Sequence, residues 1–83
     1  MFEDLKKLKK KIGIKECQKA VENKKVIKAF IAGDADEKVL KSFIELCKQN
    51  SIELNYVDTM KNLGKACGID VGASTVVIIK DEI

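Results

Sequence analysis

The chain has 83 residues, of which 46% are hydrophobic and 35% charged, and its net charge is +3. This suits one soluble domain, 1–83, with a single core. No apolar run approaches the roughly 18 residues of a membrane span, so no membrane partner is expected. The opening "MFEDLKKLKKKIG" is charged and lacks a signal-peptide apolar region. The sequence has no histidine, which removes the usual general base and the commonest metal ligand. Cys17, Cys47 and Cys67 stand far apart. An odd count without a C-x-x-C pair points to reduced thiols in a cytoplasm. A Ser–His or Cys–His nucleophile pair cannot be built, and neither G-x-x-x-x-G-K-S/T nor G-x-G-x-x-G occurs. No catalytic residue, cofactor or metal is therefore expected, and nothing demands more than a monomer.

In residues 2 to 12, Phe2, Leu5, Leu8 and Ile12 recur at helical spacing among lysines, which predicts a first helix. Gly13 interrupts it. Residues 14 to 23 predict a second helix with Ile14, Cys17, Ala20 and Val21 on one face. "VIKAFIA", 26 to 32, predicts a mostly buried strand ended by Gly33 and Asp34. Asp34 followed by Glu37 has the spacing of a capping-box variant and opens a helix over about 35 to 49. "IELNYV" reads as a short strand. Thr59 can cap a brief helix whose apolar side is Met60, Leu63 and Cys67, with Gly68 at its end. "STVVII" reads as the last strand and "KDEI" as a polar end.

The predicted order is α-α-β-α-β-α-β. Strands alternating with helices imply an α/β fold, a three-layer α-β-α sandwich around a small mixed sheet. The cysteines fit helix faces that turn inward, where free cysteine acts as a small hydrophobe.

Two stretches stand out. Lys15, Glu16 and Lys19 share the outward face of the second helix, at its start. A helix start offers free N–H groups and partial positive charge to a phosphate, and two lysines add to it. From spacing alone, a solvated face is the commoner explanation of the same residues. The run "NLGKACGIDVGAST", 62 to 75, holds three glycines, and Ile69 and Val71 lie between the last two. Read locally, Gly64 permits close packing, Gly68 a helix cap, and Gly72 a turn with positive φ.

Here the chain resembles a known family. "GIKECQKA", 13 to 20, resembles the G-x-N-E-x-x-K signature of the kink-turn-binding ribosomal proteins, the L-seven-A-e and L-thirty-e group. "AGDAD", 32 to 36, is similar to that family's A-x-D-x-D/E loop. "LGKACGIDVGAS", 63 to 74, resembles its L-G-K/R-A-x-G-I/V loop. All three occur in the family's order and spacing. The short length and the "MKNLGKACGIDVGA" run look most like its small bacterial branch.

The resemblance implies an RNA-binding protein that recognises kink-turns, sharply bent RNAs with tandem sheared G·A pairs beside a three-nucleotide bulge. Ribosomal RNA or a riboswitch-type RNA would be the partner. It implies that Gly13 admits the RNA backbone and that Glu16 accepts hydrogen bonds from guanine N–H donors. Lys19 would reach a guanine edge. Asp36 would touch a bulged nucleotide with Leu40 beside it. Ile69, Asp70, Val71, Gly72 and Ala73 would form an apolar loop surface over splayed bases. The chain departs from the pattern at Lys15, where the signature has asparagine. Asparagine donates and accepts, whereas lysine only donates.

Two other classes of function fit the residues. One is a protein-interaction module using the Ile69–Ala73 loop. The other is a small α/β enzyme, for which Cys67, near a helix end, would be the candidate nucleophile.

Overall fold

A computed structural model describes Leu5 and residues 7–80 of the chain. The elements are β1 (Lys10–Ile12), α1 (Ile14–Glu22), β2 (Val26–Ala32), α2 (Glu37–Gln49), β3 (Glu53–Val57), α3 (Met60–Cys67) and β4 (Thr75–Ile79). One four-stranded sheet has the order β1-β4-β2-β3. Strands β2 and β3 are parallel, and β4 is antiparallel to both of its neighbours. The expected α/β class and mixed sheet are both present.

Side-chain alternation along the two inner strands divides the core in two. On one face, Ala29 and Ile31 of β2 and Val77 of β4 lie beneath Cys17 and Val21 of α1 and Phe43 and Cys47 of α2. On the other, Phe30, Ala32, Val76 and Ile78 lie beneath Leu63 and Cys67 of α3. Helices thus cover both faces, as a strand that is apolar on both sides requires.

The expected first helix is not formed among the described residues. Lys10–Ile12 is a strand, paired Lys10 to Ile78 and Ile12 to Val76. Three residues are too few to display a period of two, and lysine is a good helix former by local propensity. The strand exists because β4 presents its unpaired backbone there. Lysines on such an edge also deter further strand pairing. Leu5 is buried in the α3-side core. Phe2 of that expected helix and the polar end, 81–83, lie outside the described residues.

The later boundaries follow the local signals closely, with one exchange. Thr59 caps α3, its hydroxyl oxygen accepting from Asn62 N at 3.0 Å, and Gly68 closes that helix with φ 80°. Asp34 does not cap α2. Asp36 does, through Oδ1, which accepts from Lys38 N at 2.8 Å and Val39 N at 3.4 Å. Asp34 Oδ1 instead accepts from Met60 N at 2.7 Å, tying the β2–α2 turn to the first turn of α3.

All three cysteines are free and buried. Burial pushes the Cys17 and Cys47 thiols up to about 11. It raises Cys67 too, although the Lys10 ammonium opposes the shift there. A catalytic thiol needs the opposite displacement. Folding therefore favours the neutral thiols. Their contribution is complete below the unfolded value of 9.0 and is lost as pH rises towards the folded values. Denaturant unfolding at pH 10 is expected to give a lower stability than at pH 8, by about 1 kcal/mol for each of Cys17 and Cys47. Iodoacetamide at neutral pH is expected to label the native protein slowly and the unfolded chain fully. Fast labelling of native Cys67 would restore the enzyme reading.

Candidate nucleic-acid interface

Strands β1, β2 and β3 run one way and β4 opposes them. Each of the first three is followed at once by a helix. The starts of α1, α2 and α3 and the loop 68–74 before β4 therefore gather at one edge of the sheet. Backbone hydrogen bonds tie them together. Gly13 N donates to Thr75 O at 3.0 Å, Ala32 N to Ser74 O at 3.0 Å, and Ala73 N to Met60 O at 3.0 Å. Glu16 and Val71, 55 positions apart in the chain, thus belong to the same end of the molecule.

Three helix starts at one edge concentrate positive dipole ends there. Two are occupied by side chains: Asp36 caps α2, and Thr59, with Asp34, serves α3. The start of α1 has no side-chain cap. Its first helical bond is Cys17 N to Gly13 O at 2.9 Å, so the N–H groups of the preceding turn are available to a ligand. Gly13 makes this start possible. It holds φ 98° and ψ 151°, a conformation essentially restricted to glycine. A Cβ at this position would meet nothing within 4 Å, so space is not the constraint.

Around this open helix start, Lys15, Glu16 and Lys19 are exposed. Lys15 and Lys19 are one turn apart on the same face, and Glu16 is a carboxylate between two ammonium groups. Asp36 is exposed, but one oxygen is committed to the α2 cap, which leaves the other for a ligand. Leu40 is half-buried on the next turn of α2.

The loop divides into anchors and a tip. Ile69 is half-buried against the α3-side core, and its N–H donates to Gly64 O at 3.1 Å. Ala73, expected on the loop surface, is 3% exposed and belongs to that core. The outward part is Asp70, Val71 and Gly72, with Val71 69% exposed. Gly72 is not in the positive-φ region expected for it. It lies against Met60, where a Cβ would come within 3.1 Å of the methionine Cβ. Gly64 is the tighter point: a Cβ there would overlap the carbonyl oxygen of Val71. The loop is thus pressed onto α3 and presents one aliphatic side chain to solvent.

The meeting of Asp34 with Met60, 26 positions apart, was not foreseeable from the sequence. It fixes the spacing between the start of α3 and the turn that carries Asp36.

A family model, the ribosomal protein L7Ae/L30e/S12e/Gadd45 family, matches residues 3–82. The chain belongs to this family. Among its relatives, an RNA-binding protein of Caldanaerobacter subterraneus subsp. tengcongensis is 51% identical over 67 residues, 81% of this chain and 82% of its own. An RNA-binding protein of Halalkalibacterium halodurans is 46% identical over 69 residues, 83% and 84% of the two chains. Among solved structures, the Giardia lamblia 15.5kD RNA binding protein superposes with TM-score 0.86 at 23% identity, covering 98% of this chain and 72% of that one. At that identity the likeness concerns the fold alone. The L7Ae/L30e/S12e/Gadd45 family fold is therefore the scaffold on which the open α1 start and the Val71 tip sit. No helix among the described residues is long and apolar enough to cross a membrane.

Proposed function

We propose that this chain is an RNA-binding protein that recognises kink-turns. The observation that carries the reading is Glu16: an exposed carboxylate, flanked by Lys15 and Lys19, in the first turn of the one described helix that starts without a side-chain cap. A carboxylate repels a phosphate backbone, so a surface meant only for phosphates is better without it. Facing the N–H donors of a sheared guanine, it accepts hydrogen bonds that no lysine can supply. The names of the relatives support an RNA partner, as does the gathering of basic, apolar and acidic groups at one sheet edge.

In this reading Gly13 admits the RNA backbone. Lys15 donates to guanine O6 or to phosphate in place of the family's asparagine, and Lys19 reaches a guanine O6/N7 edge. The free oxygen of Asp36 and the exposed part of Leu40 meet a bulged nucleotide. Val71, carried by Ile69, Asp70, Gly72 and Ala73, covers an unstacked base. Free kink-turn RNA exchanges between extended and bent forms. A protein that touches only the bent form shifts the balance by its differential affinity. The partner is a ribosomal or riboswitch-type RNA in the cytoplasm, bound by a monomer.

The test is a gel shift with a kink-turn duplex and with the same duplex lacking its G·A pairs. The expected result is at least tenfold tighter binding to the first. Equal binding to both would end the kink-turn reading and leave only a basic surface. Binding that ignored RNA and was insensitive to salt would point to Val71 as an apolar protein contact.

A further inference from the structure

Beside the proposed site, on the outer flank of α1, lies an open groove of about 330 Å³. Its lining takes Lys9 and Lys11 from β1 and the segment before it, Lys19 from α1, and Lys25 and Lys80 from just before β2 and just after β4. Glu16 is the only carboxylate lining it among the described residues, so the lining carries five positive charges against one negative. The floor is aliphatic, Ala20 and Ile79, and Asn23 adds a neutral donor. The groove follows α1 from Glu16 to the C-cap Asn23, a length of about 10 Å.

The walls are held by the backbone. Ile79 N donates to Lys9 O at 3.1 Å and Lys80 N to Lys25 O at 2.7 Å, while the Cys17 thiol donates to Lys11 O at 3.4 Å. Lys11, Lys19 and Lys80 make no ion pair among the described residues. Like charges converge here from four separate parts of the chain. The mutual repulsion of Lys11, Lys19 and Lys80 is unfavourable to the fold by itself, and an anion relieves it.

We propose that this groove is a phosphate track for the RNA stem that continues beyond the kink, taking up one strand's sugar–phosphate backbone along α1. The proposal rests on the kink-turn reading for its starting point, since the track begins where Glu16 meets the base edges. A length of about 10 Å takes up about two or three successive phosphates of one strand, whose spacing along the backbone exceeds the roughly 3.4 Å axial rise per nucleotide. Aliphatic floor and lysine rim suit a backbone, with sugars against Ala20 and Ile79 and phosphates at the ammonium groups. The mixture of one carboxylate at the open end and lysines beyond it separates the two tasks: base recognition at Glu16, charge neutralisation along the helix.

The experiment uses Lys11→Gln/Lys80→Gln, which leaves every residue of the proposed base-reading site in place, with thermal melting to verify the fold. Affinity is measured across a salt series for a kink-turn with a long stem beyond the G·A pairs and for one with that stem cut short. The wild type is expected to bind the long-stem RNA about tenfold tighter than the short. The variant is expected to lose about tenfold on the long stem, with a salt slope shallower by one to two, and almost nothing on the short. Its preference for G·A pairs is expected to survive. If variant and wild type agree within twofold on both RNAs and share one salt slope, the track is refuted. Should the double variant melt early, the wild-type stem-length comparison decides alone, and no dependence on stem length overturns the proposal. Loss of G·A preference in the wild type would instead refute the kink-turn reading, and so separates the two failures.

Discussion

Glu16→Ala is expected to weaken binding to a kink-turn duplex by about 1–3 kcal/mol, the scale of one good base contact, which is roughly five- to 150-fold. The same substitution removes a negative charge from the midst of Lys15 and Lys19. Binding to a regular duplex without G·A pairs is therefore expected to stay level or improve, because phosphate attraction gains when a neighbouring carboxylate goes. The opposite signs are the diagnostic. A loss on both RNAs would mean that Glu16 only supports the helix start, where an acidic residue in the first turn is favourable by a few tenths of a kcal/mol. An unchanged kink-turn affinity would remove Glu16 from the interface. Glu16→Gln keeps one acceptor oxygen and loses the charge, and is expected to fall between wild type and alanine.

Gly64→Ala is expected to lower stability by about 2 kcal/mol and to impair RNA binding beyond the loss of folded protein. Alanine in place of glycine inside a helix gains about 1 kcal/mol of propensity. Against this, the new Cβ overlaps the carbonyl oxygen of Val71, with Val71 C at 3.1 Å and Gly72 Cα at 3.2 Å. All three contacts are backbone, so no rotamer change relieves them, and α3 and the loop must part. Overpacking of this kind costs about 1–3 kcal/mol and occasionally more; three backbone contacts without a rotamer escape put it at the upper end, about 3 kcal/mol, which exceeds the helical gain by about 2. The displacement carries Val71 away from its place opposite the α1 start. A fall in melting temperature of about 10 °C is expected for a domain of this size. Gly33→Ala provides the contrast: its Cβ would meet Asp58 O at an ordinary 3.4 Å, and its effect is expected to be within about 0.5 kcal/mol. Equal melting temperatures for the two variants would show that the loop is not pressed onto α3.

Much of this molecule could be read along the chain. The apolar patterns of 14–23, 26–32, about 35–49, 52–57 and 74–79 are long enough, and distinct enough in period, to announce helix or strand from nearest neighbours. Thr59 and Gly68 mark the ends of α3 because a capping hydroxyl and a left-handed glycine act within one turn. The family signatures around Gly13, Asp36 and Gly68 are likewise local strings, which is why candidate interface residues could be named before any coordinate.

Tertiary structure decided everything that depends on a partner far along the chain. Lys10–Ile12 carry no strand signal, and β1 forms because β4, more than 60 positions later, offers its backbone. Asp34 and Asp36 are equally good caps on paper. The start of α3 draws Asp34 to Met60 and leaves α2 to Asp36. Ala73 looks like one more loop residue until the bond to Met60 O turns it into the core. The lysines of the groove come together only because an edge strand, a helix flank and two strand ends meet there. Local sequence specifies what each segment prefers over a few residues. Which segments lie side by side is set by burying both faces of one small sheet, and that placement assembles the surface proposed to meet RNA.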